Sequence, residues 1–208
     1  MQALPTIGGQ LSRMIDGNKR EYYYVDKNKD IPKGMQRILG QASSKIPFAS
    51  RLFEVAIDEW GREETYGNLL ERGLENTVSP GYYAKENYTD VDRVLKDLYD
   101  KTGETSVLPI AQQKYYEENY VRYDMTAEEY TEAKKMRGQK SFKYVSELLA
   151  NKRSVKLKDE KTGKYKTVRY NQMSDTEKVK AIKKCYEQAG DETKETMLEK
   201  MKKRKESK

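Results

Sequence analysis

The sequence predicts a mainly α-helical protein: an irregular helical domain with one β-hairpin and a loose N-terminal arm. Several segments carry apolar residues at helical spacing and open with residues that cap helices. Only residues 155–170 show the sustained alternation that is typical of strands. Hydrophobic and charged residues each make up 36% of the 208 residues, which indicates a modest core beneath a charged surface.

Residues 1–32 are the predicted flexible arm. They contain the pair Gly8-Gly9 and a dense charged run at Asp26–Asp30, and both features disfavour regular structure. The glycine pair lacks the strand–loop–helix context of a phosphate-binding loop, so we interpret it as a linker. Tyr22–Val25 is either a short strand or a segment that docks elsewhere.

The predicted helical domain spans residues 33–190 and begins with short elements. Gly34–Ser44 is a short helix, and Pro47 marks its end because a proline disfavours helix in the residue before it. Ala49–Trp60 is either a buried helix or a turn, and Thr65–Asn76 has helical leucine spacing. The apolar residues on one side of the first helix are Met35, Ile38 and Leu39.

The clearest helix of the chain follows Thr89. Thr89 is a favourable N-cap, and Asp90 and Asp92 suit the positive end of the helix dipole. Apolar residues then recur at positions i, i+3, i+4, i+7 and i+8, which places them on one face. Gly103 ends the helix.

A long helix is predicted after a short extended piece at Val107–Pro109 and a tyrosine-rich candidate hairpin at Lys114–Tyr123. Its start is a capping box, in which the side chains of Thr126 and Glu129 satisfy free backbone amides. Gly138 is predicted to be a soft point within this helix, because glycine disfavours helical conformation.

The β-hairpin at 155–170 follows, and a second capping box, Ser174 with Glu177, opens another helix. Gly190 is predicted to end that helix. Residues 191–208 are then a separate basic C-terminal helix or tail.

The helical spacing also predicts the core. Cys185 lies on an apolar helix face, so we interpret it as a core residue, and a single cysteine forms no intrachain disulfide. The residues expected to be buried are Trp60, Leu95, Leu98, Val145, Leu148, Val179 and Ile182.

The chain contains no histidine. This excludes Ser-His-Asp and Cys-His nucleophile systems, and together with the single cysteine it argues against an ordinary zinc site. Carboxylate-only or lysine-based catalysis stays formally open, but acidic clusters such as Asp58–Glu64 are more simply a charged surface. We therefore expect a protein that is not an enzyme, with no catalytic residue, no metal site and no cofactor.

The basic charge is concentrated at one end of the sequence. Residues 1–151 carry 22 basic and 24 acidic residues, and residues 152–208 carry 19 and 10, a net of +9. Such asymmetry indicates an anionic partner. The candidate residues for binding nucleic acid or another partner are Lys152, Arg153, Lys156, Lys158, Lys164, Tyr165, Lys166, Arg169, Tyr170, Lys202, Lys203 and Arg204.

Two interpretations of the basic hairpin stay open. A two-stranded ribbon can enter a groove or follow a phosphate backbone, and its tyrosines can stack on unpaired bases. Alternatively, the hairpin is simply solvated, with lysines that protect its edges from pairing. The basic tail has the same two interpretations, because lysines at a helix C-terminus also favour the dipole.

A series of motifs runs in order along the chain: Ser43–Arg51, Asp58–Gly61, Asn76–Tyr83, Leu98–Gly103, Val107–Pro109, Met125–Tyr130, Arg137–Gln139 and Met173–Ile182, followed by Tyr186 and Ala189. In this order they resemble sequences near the C-terminal end of very large multidomain proteins of phages and mobile elements of Gram-positive bacteria. They are similar to the accessory domains called large polyvalent protein-associated domains. The resemblance covers roughly residues 40–190, and the hairpin looks like an insertion in it.

This resemblance implies a phage or prophage structural or accessory protein that is virion-internal, injected or assembly-associated. It would act by contacts with phage structural proteins, with non-specific binding of DNA or RNA as a second property, and we expect the large enzymatic parts of the family to be missing. The alternative is a host-directed inhibitor that binds a defence enzyme. The expected location is the bacterial host cytoplasm or the virion. No apolar run approaches the roughly 20 residues that span a bilayer, so no membrane partner is expected.

Overall fold

The computed structural model describes residues 15–46, 48–66, 88–158 and 163–207. Four α-helices lie in these ranges: α1 (Lys33–Ser43), α2 (Asp90–Thr102), α3 (Ala127–Leu149) and α4 (Asp175–Glu206). The strands are β1 (Tyr115–Glu118), β2 (Val121–Asp124), β3 (Ser154–Lys158) and β4 (Tyr165–Arg169). The predicted mainly helical class is confirmed.

Both hairpins are antiparallel, so the described residues contain two hairpins where the predicted fold class has one. The additional hairpin, β1–β2, lies in the tyrosine-rich stretch that the sequence marks as a candidate hairpin. The linker at Gly8-Gly9, the motif Asn76–Tyr83 and most of the helix at Thr65–Asn76 lie outside the described residues.

The chain divides into two compact units. The first takes its described residues from Met1–Asp58, Arg62–Glu86 and Gln113–Glu132, and the second from Glu59–Gly61, Asn87–Gln112 and Ala133–Lys208. Neither predicted boundary, at residue 33 or at residue 190, coincides with a limit of these units.

In the first unit, the described part of the predicted arm is packed rather than loose. Tyr24 is buried, its hydroxyl donates to the Met125 carbonyl at 2.8 Å, and its ring stacks on Tyr130 at 4.9 Å between centroids. The segment Tyr22–Val25 therefore docks and is not a strand. Residues 15–32 of the predicted arm make packed contacts, because a large aromatic ring finds a buried site there.

A buried ion pair holds the start of the same stretch. The Asp16 carboxylate accepts hydrogen bonds from Arg20 Nε at 2.8 Å and from Ser50 Oγ at 2.7 Å. Burial by itself would raise the pKa of Asp16, but these hydrogen bonds outweigh it and the pKa lies below the ordinary value. The carboxylate thus links residues 16 and 50 across the first unit.

Helix α1 packs closely against the backbone of Tyr22 at Gly40. A Cβ atom on Gly40 would lie 2.2 Å from the Tyr22 carbonyl oxygen, so only glycine permits this approach. The predicted apolar side of the helix faces solvent, with Met35, Ile38 and Leu39 exposed by 55%, 66% and 48%. Their shared side is as predicted, but it is not a core face.

The segment between α1 and the second unit is neither a buried helix nor a simple turn. A short 3-10 helix at Ala49–Leu52 is followed by extended residues, with isolated bridges from Arg20 to Val55 and from Ile57 to Glu63. Ile57 is buried. Its β-branched neighbour Val55 fits an extended backbone better than a helix.

The core of the second unit is built by α2, α3, α4 and the inner side of β3. All seven residues predicted to be buried are buried, and so is Cys185. Trp60 Nε1 donates to Asp92 Oδ1 at 2.7 Å, and the Tyr186 hydroxyl donates to the Val107 carbonyl at 2.9 Å. The polar atoms of both large aromatic residues are thereby satisfied inside the core.

Gly138 is a point of close contact within this unit, not the predicted soft point. A Cβ atom there would lie 2.2 Å from the Gly61 amide nitrogen, and α3 runs through the position without a break. A Cβ atom on Gly61 would in turn lie 2.2 Å from the Lys135 carbonyl oxygen. The two glycines allow the Trp60–Gly61 backbone to lie directly on α3.

Helix α4 is a single helix of 32 residues, so the prediction that Gly190 ends it is wrong. The Ser174–Glu177 capping box opens it as predicted. Buried residues continue on both sides of the glycine, which favours one uninterrupted helix over two. Beyond Gly190 they are Thr193, Met197, Leu198 and Met201.

Candidate functional site

The hairpin β3–β4 has two faces of different character. Along β3, Val155 and Leu157 are buried, whereas Ser154, Lys156 and Lys158 are exposed. The exposed residues pair across the ladder with Arg169, Thr167 and Tyr165 of β4. Directly paired residues project on the same side of a hairpin. We call this side the outer hairpin face: Ser154, Lys156, Lys158, Tyr165, Thr167 and Arg169.

Lys166 belongs to the other face. It pairs with the buried Leu157, and its ammonium group lies 2.6 Å from Glu177 Oε1 at the start of α4. This contact, with hydrogen bonds from Ser174, lowers the pKa of Glu177 to about 2. Lys166 therefore ties the hairpin to α4 and does not lie on the outer hairpin face.

Arg153 and Tyr170 also make contacts inside the second unit. The Arg153 guanidinium lies 4.0 Å from the centre of the Tyr144 ring, forms an ion pair with Glu147 at 3.3 Å and donates to Gln188. Tyr170 packs against the core, and burial raises the pKa of its hydroxyl. Of the remaining hairpin candidates, Lys152 and Lys164 are exposed.

The basic tail is the last turns of α4. Lys203 is exposed, whereas Lys202 and Arg204 are partly buried. Lys183 of α4 lines the same depression as Lys158 and Tyr165 of the hairpin. At 1.5 Å per residue, Lys203 lies roughly 30 Å along the helix from Lys183. The candidate residues therefore form two separate basic regions rather than one.

A cleft runs between β3 and α4, and sequence reasoning did not find it. It has a volume of about 640 Å³, and lysines from both elements line it together with Leu157 and Tyr165. These lysines are Lys158, Lys180, Lys183 and Lys184. We call it the lysine cleft.

The three helix lysines stand at positions i, i+3 and i+4, which share one side of a helix. That spacing is visible in the sequence. What the sequence does not show is that β3 lies opposite this side of α4.

Lys184 has a central position in the lysine cleft. Its ammonium group donates to the Lys156 carbonyl oxygen and lies 6.0 Å from the centre of the Tyr165 ring. Lys184 and Glu187 also border a second depression of about 430 Å³, where Asp191 and Glu192 balance the basic residues. Positive charge thus predominates only at the end of the cleft near Tyr165.

This arrangement supplies ammonium groups, a guanidinium and an exposed aromatic ring, which are groups that bind anions and planar bases. Burial raises the pKa of the Cys185 thiol to about 11, so the thiol stays protonated at neutral pH. Within the described ranges, no group of three or more Asp, Glu or Cys side chains is placed to hold a metal ion. The surface is suited to binding.

No helix in the described part of the chain is long and apolar enough to span a membrane. Comparison with protein-family models, with curated proteins and with solved structures finds no significant match to this chain.

Proposed function

We propose that this chain is a non-enzymatic phage or prophage accessory protein that binds nucleic acid without sequence specificity through the outer hairpin face. The observation that carries the proposal is the division of the hairpin into a buried side and an exposed cationic side. Lys156, Lys158 and Arg169 project to solvent from strands whose opposite side is anchored in the core. The assignment to phage rests on the ordered motifs.

Anchoring matters because a binding surface loses less free energy when it is already ordered. Val155 and Leu157 hold β3 against the core, and the Lys166–Glu177 ion pair holds β4. The cations on the other side therefore start from a fixed backbone. Electrostatic contacts of this kind read phosphates and carry no sequence information.

Fluorescence anisotropy with a labelled duplex tests the proposal. Each duplex phosphate that the protein neutralises adds about −0.9 to the slope of log affinity against log salt. Replacing Lys156, Lys158 and Arg169 by Ala should therefore flatten the slope by up to about 2.7.

A matched control removes the same charge elsewhere. Arg93, Lys96 and Lys101 are exposed on α2, and their replacement by Ala should leave the slope nearly unchanged. Equal effects of the two triple variants would reduce the binding to net charge. Absence of binding to duplex and to single strand at micromolar protein and low salt would refute the proposal.

A second candidate function, contact with phage structural proteins, is favoured by the exposed apolar side of α1. Met35, Ile38 and Leu39 present adjacent apolar surface on one helix, which is a common form of docking element. Mass spectrometry of purified particles should then find the chain, and Ile38→Asp should reduce its incorporation. Consistent absence from particles and assembly intermediates would exclude this function. Stoichiometric capture of a host defence enzyme would instead favour an inhibitor.

A further inference from the structure

We propose that the lysine cleft holds one unpaired strand of nucleic acid, with its phosphates at Lys180, Lys183 and Lys184 and a base stacked on Tyr165. This inference rests on the proposed function and names the form of nucleic acid that the site prefers. It assigns a role to α4 lysines that lie outside the outer hairpin face. Its basis is the cleft that β3 and α4 form together.

Tyr165 provides the reason for an unpaired strand. Its side chain is 69% exposed at the border of the cleft, although its strand is anchored by the neighbouring Lys166. A ring that is exposed on a fixed backbone offers a stacking surface at small entropic cost. Bases within a duplex are already stacked on each other, so only an unpaired base can use this ring.

The charges around the ring fit a phosphate backbone. The residues that line the cleft include Lys158, Lys180, Lys183 and Lys184 and one acidic residue, Glu187. Four lysines against one glutamate give the lining of the cleft a net positive charge, and Glu187 lies 3.8 Å from Lys183. The Lys184 ammonium lies 6.0 Å from the ring centre, so a phosphate at Lys184 and a base on Tyr165 can belong to the same short segment.

The dimensions and the charge gradient limit the site to a few nucleotides. A volume of about 640 Å³ is in the range of small-ligand sites and is too small for a duplex. Beyond Lys184, the second depression contains Asp191 and Glu192, which repel phosphates. The strand therefore occupies the end of the cleft near Tyr165.

An acidic protein segment is the competing occupant, since lysines also bind carboxylates. Such a segment would gain from the lysines but not from the stacking face of the ring. Exchange of Tyr165 for a side chain without a ring therefore separates the two occupants. Tyr165→Leu keeps apolar bulk, and Tyr165→Phe keeps the ring.

The test uses the full chain, a labelled oligothymidylate, a duplex of the same length and a labelled polyglutamate, all at one salt concentration. We expect the single strand to bind more tightly than the duplex. Tyr165→Leu should weaken single-strand binding about tenfold, as expected for the loss of one stacked base, and should weaken duplex binding much less, because paired bases cannot stack on the ring. Tyr165→Phe should bind like the unaltered protein.

The double variant Lys180→Ala, Lys183→Ala should reduce the single-strand salt slope by about 1.4, or about 0.7 per phosphate. Lys96→Ala, Lys101→Ala is its charge-matched control and should leave the slope unchanged. Thermal melting checks that each variant is folded. Tyr165 and Lys183 are exposed, so we expect their replacement to leave the fold intact.

Three results would overturn the inference. They are tighter binding of duplex than of single strand, an equal effect of Tyr165→Leu on both nucleic acids, and tight polyglutamate binding that Tyr165→Leu does not change. The first two leave the proposed function intact, because the protein still binds nucleic acid. Failure to bind either nucleic acid refutes the proposed function itself.

Discussion

The two hairpins share an architecture and differ in charge. Strands β1 and β2 carry Glu117, Glu118, Arg122 and Asp124, a net of −2, whereas β3 and β4 carry Lys156, Lys158, Lys166 and Arg169, a net of +4. In β1–β2 the charges are partly compensated within the hairpin, since Arg122 contacts Asp124 at 2.9 Å and lies over the Tyr115 ring at 3.6 Å. In β3–β4 they accumulate.

The comparison bears on the interpretation of β3–β4 as merely solvated. Both hairpins are two-stranded, so both expose strand edges that need protection from pairing. A mixture of charges serves that purpose in β1–β2. The excess of one sign in β3–β4 goes beyond it, which supports a role in binding an anion.

The largest expected effect concerns the anchored side of β3–β4. Leu157→Ala should lower the free energy of unfolding by about 2–5 kcal/mol, because Leu157 is buried in the core of the second unit. In the other hairpin Val121 is 42% exposed, so Val121→Ala should change the free energy of unfolding by no more than about 0.5 kcal/mol. Urea denaturation measures both. Equal losses would show that the inner side of β3–β4 is not specially anchored.

The second prediction separates the position of charge from its amount. Lys156→Glu should weaken duplex binding about tenfold, as expected when one phosphate contact is lost and a repulsive charge is added. Adding Glu117→Lys restores the net charge of the chain through the other hairpin. If position matters, this double variant binds as weakly as Lys156→Glu in anisotropy titrations. Recovery of the original affinity would show that only net charge matters.

The third prediction concerns the ion pair between β4 and α4. The folded pKa of Glu177 is about 2, below the ordinary value of 4.5, so its contribution to stability is present above pH 4.5. The contribution is lost as the pH falls from 4.5 towards 2. Glu177→Gln should lower the melting temperature near pH 6 and make no difference near pH 2, because glutamine preserves the capping box without the charge.

Glu117→Gln in the other hairpin is the control for this titration. Glu117 lies on an exposed position of β1, opposite Arg122. Its replacement should alter the melting temperature much less at either pH. A difference between Glu177→Gln and the unaltered protein that persists at pH 2 would assign the effect to packing rather than to charge.

The smallest expected effect concerns the turn of β1–β2. Asn119 and Tyr120 both have positive φ angles, 50° and 63°, as in the tight turns that favour glycine at the second position. Tyr120 is fully exposed. The left-handed conformation costs a residue with a side chain roughly 1–2 kcal/mol, and glycine loses roughly 0.5–1 kcal/mol more in conformational freedom. Tyr120→Gly should therefore stabilise the chain by about 1 kcal/mol at most and leave nucleic-acid binding unchanged. Loss of binding would move the site to the hairpin that we consider inert.

Local features of the fold could be predicted from the sequence. Caps such as Ser174 with Glu177 and the alternation around Val155 and Leu157 depend on neighbours within a few residues. The buried residues of α2, α3 and α4 that the sequence predicts also follow from helical spacing, which places them on one face of each helix.

Features that depend on distant residues could not be predicted. Gly138 looks like a weak point in its own helix until the Gly61 backbone is seen to lie against it. Helix α4 passes Gly190 because residues such as Thr193 and Met197 find a core. The lysine cleft exists only because β3 lies beside α4, and the exposed side of α1 looks in sequence like any core face.

Nuclear magnetic resonance of the backbone amides during titration with an unlabelled oligonucleotide tests the central claim most directly. It observes both hairpins in the same sample. We predict progressive shifts at Lys156, Lys158, Tyr165 and Arg169 that diminish as salt is added, with the amides of β1 and β2 unchanged. Shifts confined to β1–β2 or to α2, or no shifts at an oligonucleotide excess in low salt, would contradict a nucleic-acid interface on the outer hairpin face.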